Sequence, residues 1–133
     1  MNTLLISRDI YKALTDNEDL TNIVNKRVFP IVAEEGTQYP FLTYNRTSIS
    51  SNRTKCGIYE DTVNFSVNIL TTDYLSGLDI GNLVRKSIEK HLNPSLRDLE
   101  YRDIQLVGAT EQFTNEGYVQ TLNFQVIVDK KIK

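Results

Sequence analysis

The sequence predicts an α+β domain, a mainly antiparallel sheet with helices laid on one face. Three observations carry that prediction. Tyr59, Asp61, Val63, Phe65, Val67 and Ile69 alternate with Glu60, Thr62, Asn64, Ser66 and Asn68, the period of two that a half-buried strand needs. Ile80, Leu83, Val84, Ser87, Ile88, His91 and Leu92 then recur at i, i+3, i+4, i+7, i+8, i+11 and i+12, one stripe of a long helix. Finally, Ile104 to Phe113 and Tyr118 to Val128 flank a Thr114-Asn115-Glu116-Gly117 turn, a hairpin in which Gly117 suits a positive φ.

The remaining elements follow in chain order. From Thr3 to about Thr15, Ile6, Ile10, Ala13 and Leu14 share one helical face. Asp16-Asn17 offers a cap for a short second helix in which Leu20, Ile23 and Val24 repeat the spacing before Asn25 stops it. Arg27 to Val32 is β-prone, but Pro30 lacks a backbone donor and places the run at a sheet margin. After Pro40, Leu42 and Tyr44 face one way and Phe41, Thr43 and Asn45 the other. Residues 47–58, rich in Ser, Thr, Asn and Gly between two strands, are expected to form a long projecting hairpin tip. Thr72 or Asp73 caps the long helix and Asn93-Pro94 ends it. Its Gly77 and Gly81 each cost about 1 kcal/mol against alanine, which points to close backbone approach there.

Composition narrows the function. At 133 residues and 40% hydrophobic content, the chain is expected to form one domain, residues 1–133, around one core. Fifteen Lys and Arg against 17 Asp and Glu leave a net charge of −2 and no general basic field for a polyanion. The opening MNTLLISRDIYKAL has neither the basic region nor the apolar run of a signal peptide, and the single Cys56 cannot close an internal disulfide, so a cytoplasmic site of synthesis is expected. No apolar run reaches the roughly 18 residues of a membrane span, so no membrane role is expected.

Chemistry is sparse. A nucleophile needs an adjacent base, yet the only histidine, His91, lies on the long helix's apolar stripe near its C-terminus, where a cation suits the dipole, and Cys56 has no histidine beside it. One His and one Cys do not make a zinc site, and no phosphate-binding glycine loop is present, so neither metal nor cofactor is expected. Three sequon matches, at Asn45, Asn52 and Asn64, read as chance in a chain without a secretory signal. Glu34 and Glu35 stand side by side, and on extended backbone they point apart, so acid/base work would need a third carboxylate such as Asp61 or Glu111. A solvated acidic turn is the simpler reading. Arg46, Arg53 and Lys55, gathered near the expected hairpin tip, could touch phosphates or an acidic partner, but are equally what a solvated loop carries. By contrast, Thr62, Asn64, Ser66 and Asn68 make a nearly uncharged strand face, suited to contact with protein.

Three stretches resemble one family. RVFPIVAEEGTQYPFLTYNRTS (27–48), EDTVNFSVNILTTDYLSGLDIGNLVRKSIE (60–89) and TEQFTNEGYVQTLNFQVIV (110–128) are similar to the phage tail-completion, or head-to-tail joining, proteins of tail-terminator-like type found in phages and prophages. The pattern is structural: Arg-Val-Phe-Pro, a Pro-Phe-aliphatic-x-Tyr strand, Asp-Thr-Val, a helix with Val-Arg, and Tyr-Val-Gln-x-Leu-x-Phe. The resemblance implies a curved antiparallel sheet with two main helices. It further implies a non-enzymatic subunit that forms a ring, expected to be a hexamer, capping the tail tube and meeting head and neck connector proteins, with passive DNA contact in the lumen. Such a protein would be made in the bacterial host cytoplasm and end in the virion. By placement, the matching interface candidates are the 33–40 loop, the 47–58 tip and the 114–117 turn, with Glu34, Glu35, Gln38, Tyr39, Arg46, Asn52, Arg53, Lys55, Asn115 and Glu116 as their residues. A nucleic-acid-binding module through Arg46, Arg53 and Lys55 is the alternative, and a carboxylate hydrolase using Glu34 or Glu35 with Asp61 a more distant one.

Overall fold

The structure, a computed structural model, describes residues 3–53, 58–92 and 100–131. A short 3-10 turn, Thr3–Leu5, leads into α1 (Ile6–Asp16), followed by α2 (Glu18–Val24), β1 (Val28–Pro30), β2 (Phe41–Arg53), β3 (Ile58–Thr71), α3 (Tyr74–His91), β4 (Glu100–Thr114) and β5 (Gly117–Lys131). The strands form one sheet in the order β1-β2-β3-β5-β4, with only the β1–β2 pair parallel. The predicted α+β class and element order therefore hold.

The alternation seen in the sequence sorts the two sheet faces. Val63, Phe65, Val67 and Ile69 of β3 and Leu122, Phe124, Val126 and Val128 of β5 are buried, joined by Leu42 and Tyr44 of β2. Ile6, Ile10, Ala13 and Leu14 of α1 and Ile80, Val84 and Ile88 of α3 close over them as one core. At its centre the Phe65 and Phe124 rings stack with centroids 5.3 Å apart, an aromatic contact worth about 0.5–1.5 kcal/mol beyond its burial. Tyr101 is wholly buried and donates its hydroxyl to Asp9, which removes the cost of enclosing an unpaired phenol.

Caps fix the helix junctions. Asn17 accepts the Leu20 amide at 3.0 Å as the N-cap of α2, while its amide donates to Ser87 Oγ of α3 at 2.7 Å. One side chain thus ends α1, starts α2 and ties both to α3. Asp73 caps α3 by accepting from the Ser76 amide at 3.0 Å. Of the two helix glycines, Gly77 meets the expected close approach, since a Cβ there would lie 3.2 Å from Thr71 Oγ1 and 3.3 Å from Gln120 Cγ. A Cβ at Gly81 would find only ordinary contact, 3.9 Å from Ile69.

The projecting tip predicted for residues 47–58 is overturned over 47–53, which are strand, while residues 54–57 lie outside the described residues. β2 continues to Arg53 and pairs with β3 in unbroken register from Ser48↔Asn64 to Arg53↔Tyr59. Ser, Thr and Asn read as loop material, but opposite a strong strand they accept an extended backbone, because tertiary pairing outweighs local propensity. A register shift between Arg46 and Ser48 absorbs one extra residue. Lys55 and Cys56, together with Asn93-Pro94, lie outside the described residues.

Candidate assembly surface

All three helices and the core lie on one side of the sheet, leaving the other face bare of helices, although Phe41, Thr43 and Ser66 on it are buried. On that face the cross-strand register lines up polar side chains as rungs. Asn68 donates to Thr43 Oγ1 at 3.1 Å and accepts from Thr121 Oγ1 at 2.7 Å. One step along, Ser66 donates to Asn123 Oδ1 at 2.6 Å. The next rung runs from Gln125, which donates to Asn64 Oδ1 at 3.2 Å, to Asn64, which donates to Ser48 Oγ at 3.0 Å. These residues carry no charge and pair with one another, as cross-strand neighbours can at this spacing.

Different chemistry bounds each end of the ladder. At one end Arg102 bridges strands by pairing with Glu60, with Asp129 at 2.8 Å and with Asp103 at 3.1 Å. At the other, Phe41, Leu70 and Val119 form an apolar floor beneath the loop that joins β1 to β2. That loop bends over the open face and encloses a groove of about 780 Å³, lined also by Ile31, Val32, Glu34, Glu35, Tyr39 and Glu116.

The loop's shape follows from local chemistry. Ile31 holds a φ of 66° while its amide donates to the Tyr44 carbonyl at 2.8 Å, so the chain turns away from β2 immediately after β1. A β-branched residue in this left-handed region is an outlier, yet Ile31 is 76% exposed and Val32 73%. Gly36, at φ 85°, reverses the chain, with Thr37 Oγ1 donating to the Glu34 carbonyl at 2.5 Å. Arg27 Nε holds the far end by donating to the Pro40 carbonyl at 3.0 Å. Burial, and then the carboxylate of Glu116, raise the Tyr39 phenol above its usual pKa.

A second apolar cluster occupies the helix-covered side of this same end. Tyr118 packs against Tyr74 at 5.7 Å and Phe113 at 4.9 Å between centroids, and Leu75 and Phe113 are two-thirds exposed. Glu111 accepts from the Tyr74 hydroxyl at 2.9 Å and from Gln120 Nε2 at 3.0 Å. Hydrogen bonds from Gln120 and then Tyr74 hold its carboxyl below the ordinary range.

Of the residues singled out in the sequence, Glu34, Glu35, Tyr39 and Glu116 come together at the groove. Gln38 is exposed on the same loop, and Asn115 at the β4–β5 turn that carries Glu116. The carboxylate partnership with Asp61 is contradicted. Asp61 is buried on the core face, where it accepts from Ser51 Oγ at 2.5 Å. It lies nine residues from Leu70 along β3, or about 30 Å at strand rise. Glu111 likewise pairs opposite Gln120 on the covered face and does not meet the glutamates of the loop. The grouping of Arg46 with Arg53 at a tip is also overturned, because both lie within β2, seven residues apart, a separation of about 23 Å. Asn52 and Arg53 stand at the far end of β2 from the groove. The strand residues of the open face were anticipated, whereas the exposed Ile31–Val32 pair and the Arg102 clamp were not; two aliphatics beside paired glutamates were the available signal for the former.

No curated protein matches the chain in sequence. The fold is similar to a chain in the virion of a native gene transfer agent particle, with a TM-score of 0.69 at 13% identity, covering 91% of this chain and 92% of that one. It is also similar to the gp17 protein of bacteriophage SPP1, with a TM-score of 0.57 at 15% identity over 98% of this chain and 90% of that one. The family model described as tail completion protein gp17 matches residues 8–129. Spanning α1 to the end of β5 and agreeing with the resemblance carried by residues 27–48, 60–89 and 110–128, that match assigns the chain to the family of phage tail completion proteins.

Proposed function

We propose that this chain is a ring-forming subunit that completes a phage tail at the head-tail junction, contacting the tail tube on one side and neck connector proteins on the other. The observation that carries this is the bare sheet face, whose polar groups are uncharged and already bonded to one another between Thr43 and Gln125. Such a face lets a polyanion pass without gripping it, so it suits the wall of a channel for DNA. The groove end, with Ile31 and Val32 exposed on one side and Leu75 and Phe113 on the other, suits docking onto a neighbouring virion protein. Assembly would take place in the host cytoplasm before incorporation into the virion.

Negative-stain imaging of the protein mixed with tail tubes tests this. Closed rings at tube ends are expected, and since the tube can template closure, a monomer in isolation is compatible with it. Neither rings nor tube-end binding at any protein concentration would defeat the proposal. The nucleic-acid alternative loses its footing with the separation of Arg46 from Arg53, and the hydrolase with the separation of Asp61 from the loop.

A further inference from the structure

We infer that copies of this chain join edge to edge, the outer edge of β4 in one copy pairing antiparallel with the outer edge of β2 in the next, so that one sheet runs through the assembly. This rests on the ring reading above and names the contact that would close the ring.

Both edges are open among the described residues. β1 covers β2 only from Leu42 to Tyr44, although β2 continues to Arg53, and β4 has a strand on one side alone. An uncovered strand offers outward-pointing amides and carbonyls as a template for another strand. Folds that must stay monomeric blunt such edges with lysine, proline or bulges. Here bulges interrupt β2 between Arg46 and Ser48, and β4 between Arg102 and Gln105 and between Leu106 and Gly108. Each strand nonetheless keeps a regular stretch, Ser48–Arg53 and Gly108–Thr114, with no lysine or proline in either.

Direction and chemistry select the pairing. β2, β3, β5 and β4 are antiparallel in succession, so β2 and β4 run in opposite senses. A copy placed head to tail therefore meets its neighbour as an antiparallel ladder, through unlike patches that can close a ring. Matching faces with Ile49 opposite Phe113 brings the exposed phenyl ring against an aliphatic side chain. It also sets Ser50 opposite Gln112 and Asn52 opposite Thr110, which extends the uncharged polar rungs across the junction. The Asn115–Glu116 turn then stops just above β1, beside the exposed, oppositely charged Arg46. Pairing β4 with β4 about a two-fold axis would instead repeat Glu111 on both sides and leave β2 open.

Paired cysteines in a Cys56→Ser background test the contact. Ser50→Cys with Gln112→Cys, assembled on tail tubes and oxidised, is expected to give a ladder of covalent multimers on non-reducing gels. Ser50→Cys with Phe113→Cys, whose side chains point to opposite faces, is expected to give none. Rings that form without any link from Ser50 to Gly108, Thr110 or Gln112 would overturn the inference, as would Gln112→Cys alone yielding a covalent dimer. An Ala109→Lys/Thr110→Lys variant that keeps its fold by circular dichroism is expected to lose at least tenfold in ring yield; rings at the unaltered yield would also overturn it. If the unmodified chain forms no ring and binds no tube, the functional reading itself fails and this contact with it.

Discussion

Gly117 passes so close to Thr71 that a Cβ on the glycine would fall 2.4 Å from the threonine carbonyl oxygen. The contact joins the start of β5 to the end of β3, and the glycine's φ of 157° adds to the demand for a residue without a side chain. Gly117→Ala is therefore expected to destabilise the protein by at least 1–3 kcal/mol, on the scale of about 1–3 kcal/mol for a strained backbone site with the clash added. Urea denaturation checks it, and an unchanged midpoint would refute it.

Asn17 has two separable jobs. Asn17→Asp keeps the acceptor for the Leu20 amide but loses the donor to Ser87, whereas Asn17→Ala loses both. The alanine variant is expected to cost about 1–2 kcal/mol, and the aspartate variant less. Thermal melts should rank wild type above Asp and Asp above Ala. An alanine variant as stable as wild type would mean that the corner is held by core packing alone.

Acid stability has an identifiable contributor in Glu111. Its carboxyl is depressed in the folded state by Gln120 and then Tyr74, so the folded form binds its proton less readily than the unfolded chain does. The stabilisation is present above the unfolded pKa, about 4.3, and is lost as pH falls through the folded value. Glu111→Gln is expected to make the decline of the melting temperature below about pH 4.3 shallower. Identical acid limbs for the two proteins would remove Glu111 from the account.

Ile31 combines a φ of 66° with a β-branched, 76% exposed side chain. Ile31→Gly relieves the steric penalty but lets the unfolded chain explore more conformations, so stability is expected to change by no more than about 1 kcal/mol. Binding at tube ends, in contrast, is expected to weaken, because the exposed aliphatic surface is gone. A sedimentation assay with tail tubes reads the second effect and a thermal melt the first; unweakened binding would assign the exposed Ile31 side chain no assembly role.

Periodicity exposed the core elements because each buries one face. The stripe Ile80, Val84, Ile88 and the alternation Val63, Phe65, Val67, Ile69 are direct imprints of the interior they meet. The Asn17 and Asp73 caps were legible for the same local reason. Residues 47–53 were not, because their extended form depends on β3 across the register rather than on their own composition. The groove was beyond reach as well. Glu116 lies some 80 positions after Glu35, and only the order β3-β5-β4 brings that turn beneath the loop. Arg46 and Arg53 misled because proximity in sequence becomes distance once a strand is extended.

The rungs of the open face also set how easily something moves across it. A hydroxyl whose proton is already committed to a neighbour, as that of Ser66 is to Asn123 and that of Thr121 to Asn68, must break that bond before it can donate to a passing group. With no charged side chain in these rungs between the Arg102 clamp and the Phe41–Leu70–Val119 floor, a polyanion sliding through the proposed channel would meet no cation there to slow it.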